Sequence, residues 1–112
     1  MQTPNEKLPH YVGHRKRQKD KFLKNPPNSF SDYELIELML FQSIPRKDVK
    51  PLAKELLNKF GNLNNLINTS RQKLSEVKGV NQNFFISLQI IKELMNRVLI
   101  NQVMNRNIIG SW

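Results

Sequence analysis

Apolar positions recur at three- and four-residue steps in nearly every segment of this chain, and nowhere do they alternate for long enough to make a strand. The longest run is Phe84, Leu88, Ile91, Met95, Val98 and Gln102. Phe85, Leu94 and Leu99 widen its stripe, and together they predict a helix reaching Met104. A shorter helix is expected before it, over residues 70–77, where Leu74 and Val77 share one face and Thr69 or Ser70 can cap the free amides. Gly79 lies just past the last periodic residue of that helix. It is expected to take the left-handed conformation that stops a helix, and Asn81 is the next most tolerant residue for positive φ. Two helices thus flank a tight turn, in the pattern of a helix-hairpin-helix.

The upstream segments are punctuated as clearly. Ser31 followed three residues on by Glu34 is a capping box, with Asp32 favouring the positive end of the helix dipole. Leu35, Leu38 and Met39 share a face of this helix, and Ile36, Leu40 and Phe41 make it apolar on most sides. Asp48 is a cap for a helix that runs to Phe60 and stops at Gly61; Pro51 is tolerated there because first-turn amides have no intrahelical acceptor. Leu63, Leu66 and Ile67 offer one more short turn among four asparagines. From His10 to Lys24 the pattern is basic, with only Tyr11, Phe22 and Leu23 as an apolar edge, which predicts a surface helix with its cations in water. Residues 1–9 read as a flexible lead and 105–112 as a linker-like tail, leaving 10–104 as the folded unit.

The expectation is an all-α bundle of five or six helices containing a helix-hairpin-helix. Its expected core is Leu35, Leu38, Met39, Leu52, Leu56, Phe60, Leu74, Val77, Leu88, Ile91 and Met95. A chain of 112 residues makes one small domain with one modest core. No apolar run approaches the ~20 residues that span a bilayer, the N-terminus lacks a signal-peptide apolar core, and cysteine is absent, so a cytoplasmic setting is the default expectation.

Charge sharpens the picture. The net charge is +9, and it is uneven: residues 1–24 carry seven Lys/Arg against two acids (+5), 25–60 five against five, and 61–112 six against two (+4). Basic ends around a neutral middle are the electrostatic footprint of a polyanion partner.

No catalytic constellation is present. There is no Gly-rich phosphate loop, and the acids Asp32, Glu34, Glu37, Asp48, Glu55, Glu76 and Glu93 are all read as caps or helix-surface charges. His10 and His14 fall on one helix face, yet nothing nearby completes a metal site, so they are read as exposed bystanders. Neither a cofactor nor enzyme activity is expected. What remains is a phosphate-binding surface, because orphan amides in a turn and at a helix N-terminus attract anions without any particular side chain. Its candidate residues are Lys78, Gly79, Val80, Asn81, Gln82 and Asn83 in the turn, with Arg15, Lys16, Arg17 and Lys19 in the basic segment. The competing reading is a purely structural joint, since Asn81 stands where a helix-hairpin-helix carries its second glycine and Phe84 where many carry a lysine.

Several stretches together resemble the N-terminal domain of the RadC family of bacterial proteins, long labelled DNA repair proteins. The matching pieces are residues 9–17, 31–41, 44–57, Phe60-Gly61 and 74–80, in the family's order over nearly the whole chain. The resemblance implies a DNA repair-associated helical module that binds DNA phosphates without sequence specificity. In the family this domain precedes a JAB/MPN-type domain whose His-x-His motif with a downstream Asp resembles a zinc-dependent isopeptidase site. That motif is absent here, so the implied partners are DNA and a protein that supplies the JAB/MPN domain, with no membrane. The alternative the resemblance leaves open is a structural or docking domain for that hydrolase, and the chain is expected to be a gene relic, one half of a split protein or an excised domain.

Overall fold

A computed structural model describes residues 10–110, with side chains described over 13–106; the predicted lead, His10 as a side chain and the last two residues of the predicted tail lie outside that range. Six α-helices are described: α1 (His10–Lys24), α2 (Asp32–Ser43), α3 (Lys50–Phe60), α4 (Leu63–Ile67), α5 (Arg71–Ser75) and α6 (Gln82–Gly110). A 3-10 turn (Pro27–Ser29) follows the paired prolines. No strand occurs among the described residues.

Local side-chain chemistry sets several of the helix ends, while α5 stops at Ser75, short of the expected residue 77. Ser31 accepts from the Glu34 amide while Glu34 accepts from the Ser31 amide, completing the capping box of α2. Asp48 Oδ1 accepts from the Lys50 amide at 3.1 Å, although the formal cap of α3 is Val49. Gly61 ends α3 at φ +82, in the left-handed region that a side chain disfavours. Asn62 caps α4 through the Asn65 amide at 2.8 Å, so the asparagines that weaken this helix as interior residues serve its ends.

The buried cluster is built from Ile36, Leu40, Phe41 and Ile44 of α2 and its C-terminal turn, Val49, Ala53 and Leu56 around α3, Leu66, Leu74, Val77, and Phe84 and Leu88 of α6. Of the expected core, Leu56, Leu74, Val77 and Leu88 are buried; Leu38, Met39, Leu52 and Phe60 are only part-buried at its edge, and Leu35, Ile91 and Met95 lie outside it. Leu35, Leu38 and Met39 are only half-buried, because they line an open apolar groove with Phe22 and Leu23 of α1, although Leu38 and Met39 also pack against the edge of the core. Met95 is 50% exposed, because the body ends before it: from Glu93 to Arg106 every residue is exposed. α6 also continues to Gly110, beyond Met104 and into the stretch read as a tail.

Candidate nucleic-acid interface

α1 is basic, as the sequence reads, but it is docked by a polar stripe. His14, Gln18 and Lys21 lie at successive i, i+4 and i+7 positions, so one face meets α2 with hydrogen bonds in place of apolar packing. Glu37 stands at the centre of the contact and is 1% exposed. Its Oε1 lies 3.1 Å from His14 Nε2 and accepts from Gln18 Nε2 at 3.2 Å, and its Oε2 accepts from the Tyr33 hydroxyl at 3.4 Å. A buried carboxylate needs such partners, since desolvation without them is costly. Burial, followed by the Glu37 charge and hydrogen bond, pushes the Tyr33 hydroxyl up to about 12. This corrects two expectations: Glu37 is no surface charge, and His14, edge-on to the Phe41 ring at 6.1 Å, is no exposed bystander.

Arg15 is corrected in the same way. Its guanidinium donates to the carbonyls of Phe41 (3.2 Å), Ile44 (2.6 Å) and Lys47 (2.5 Å), and lies 4.9 Å from the centroid of the Phe41 ring. The last carbonyls of a helix lack intrahelical donors and carry the negative end of its dipole, which is why a planar cation seats there. That fork is therefore directed at α2 and not at solvent. Lys16, Arg17 and Lys19 are exposed, and the ion pairs Lys21–Glu34, Lys59–Glu76 and Arg97–Glu93 do not involve them.

The turn between α5 and α6 has a similar division. Ser70 caps α5 through the Lys73 amide at 3.1 Å, and Gly79 takes φ +99, both as expected. Asn81 does not take positive φ; it is a clamp. Its Oδ1 accepts from the Phe84 amide at 3.0 Å, capping α6, while its Nδ2 donates to the Ser43 carbonyl at 2.8 Å. Phe84 is fully buried, and Val80 is partly buried against the core. Lys78, Gly79, Gln82 and Asn83 remain exposed. Asn81 on Ser43 and Arg15 on Phe41, Ile44 and Lys47 bring the turn and the start of α1 to the same end of α2.

A depression at this end places Lys47 beside Lys78 and Gly79, with Asp48 and Glu55 also on its wall. Lys47 was not singled out by sequence reasoning. The only signal was an exposed Arg-Lys pair after Pro45, which reads as an ordinary loop. No group of three or more His, Cys, Asp or Glu that could hold a metal occurs among the described residues, and no described helix is long and apolar enough to cross a membrane.

The profile of the UPF0758 N-terminal family matches residues 10–85. The chain belongs to this family. A UPF0758 protein of Ruegeria pomeroyi is 42% identical over 106 residues, covering 94% of this chain and 47% of the relative. The chain thus spans about half the length of that curated relative and corresponds to the RadC-like N-terminal region. No solved structure matches it.

Proposed function

We propose that this UPF0758 N-terminal domain binds the phosphate backbone of DNA without reading sequence, as a repair-associated module. The observation that carries the reading is the exposed cationic side of α1, Lys16, Arg17 and Lys19, on a chain of net charge +9. Lys47, Lys78 and the Gly79 turn extend it at the end of α2, in the manner of a helix-hairpin-helix whose affinity comes from lysines more than from turn amides. Asn81 already occupies the amide of Phe84, so the turn has fewer free donors than the motif with two glycines. The test is titration of duplex and branched DNA at several salt concentrations. Binding should weaken steeply with salt, and replacing Lys16, Arg17 and Lys19 with Ala should lower the log–log slope by up to about 0.9 for each phosphate that is no longer neutralised, with unchanged helicity. Absence of salt-dependent binding at low salt ends this reading.

A second reading is favoured by Phe84 and Asn81, which are committed to packing and capping. In it the domain docks onto or positions a JAB/MPN-type hydrolase partner like that of the RadC family. It expects no DNA affinity and co-elution with the second half of a full-length relative.

A further inference from the structure

We infer that the distal half of α6, residues 90–106, pairs antiparallel with the same segment of a second copy of this chain. The face of α6 that buries Phe84 and Leu88 in the body continues, at three- and four-residue steps, through Ile91, Met95, Val98 and Gln102. Beyond Lys92 no described residue of the body covers that face. On that face and at its flanks, Leu94, Met95, Val98 and Leu99 are each between 50% and 58% exposed. At half exposure each leaves on the order of 100 Å² in water, and with Ile91 and Gln102 at the ends of the stripe two copies together would bury roughly 1,000 Å², which is at the lower limit of a specific interface and describes a weak, concentration-dependent dimer.

Charge selects both the occupant and the direction. Residues 90–106 carry Lys92, Arg97 and Arg106 against Glu93, and Arg97 is already paired with Glu93 at 2.9 Å. Such a helix lacks the strongly basic polar face of one that lies on an anionic membrane. A parallel pair would set two strongly basic bodies side by side. An antiparallel pair centred near Val98 puts the bodies at opposite ends, and its two-fold symmetry closes the assembly at two copies.

Sedimentation equilibrium of the full chain from low micromolar to submillimolar concentration tests this. The weight-average mass should rise towards that of two chains, and Val98→Glu should move the transition at least tenfold higher while the far-UV circular dichroism melt of the body is retained. If Val98→Glu proves unfolded, Met95→Lys replaces it in the same comparison. In this cysteine-free chain Val98→Cys should also give a covalent dimer on mild oxidation, since the centre of the seam brings the two side chains together. A single-chain mass at every concentration overturns the inference. So does a dimer that Val98→Glu and Met95→Lys leave intact, or pelleting with anionic phospholipid vesicles without any self-association.

Discussion

Arg15 joins three backbone carbonyls to one aromatic ring, and its replacement separates structural from electrostatic roles within a single basic run. Hydrogen bonds to a charged group contribute about 1.5–3 kcal/mol each, less where water reaches them, so Arg15→Ala should cost about 2–3 kcal/mol in denaturant unfolding. Arg15→Lys should recover little, because an ammonium cannot fork across the Phe41, Ile44 and Lys47 carbonyls. Lys16→Ala next to it should leave stability unchanged within a few tenths of a kcal/mol, as expected of an exposed cation. A composition count treats the two neighbours as equivalent. Only the position of the C-terminal end of α2 distinguishes them, and that position is set by contacts far away in sequence.

At the scale of the element, α2 is the organising helix, and its N-terminus links capping to the docking of α1. Glu34 closes the capping box and also accepts from Lys21 Nζ at 2.9 Å. The Lys21 hydrogen bond, and then the Ser31 amide, hold its carboxyl at about 2, well below the ordinary carboxylate range. A depressed folded-state value means that the stabilisation is fully present above the unfolded value of about 4.3 and is lost as pH falls towards 2. The parent should therefore lose stability between about pH 4 and pH 2 more steeply than Glu34→Gln, as read by urea unfolding at stepped pH. Equal slopes for the two proteins would show that Lys21 and Glu34 do not couple. The capping box itself was readable from Ser31 and Glu34 alone, whereas the partnership with Lys21, thirteen residues away, was not.

For the whole molecule, Leu56 tests how small the core is. It is fully buried between α3 and its neighbours, and Leu→Ala at such a site costs about 2–5 kcal/mol, a large share of the 5–15 kcal/mol that stabilises a domain. Leu56→Ala should lower Tm by roughly 10 °C or more in a calorimetric scan. Leu94→Ala, on the uncovered part of α6, should have little effect on that unfolding transition. The contrast follows from a body that ends near Ile91 while α6 goes on.

The sequence by itself determined the helices, because apolar period, caps and glycine stops act within a few residues of one another: Ser31–Glu34, Ser70, Gly61 and Gly79 all behave as local chemistry requires. It also determined the basic balance of α1 and the central place of Leu56, Leu74, Val77 and Leu88. Which face of each helix is covered was decided only by the tertiary structure. Leu35, Leu38 and Met95 have the same apolar spacing as Ile36 and Leu40, but the spacing of a stripe does not reveal where its partner helix ends. The roles of Glu37, Arg15 and Asn81 were decided there too, since each bonds to a group between 23 and 38 residues distant. A polar side chain is read as exposed until the fold supplies those partners, because burial becomes favourable only once they are in place.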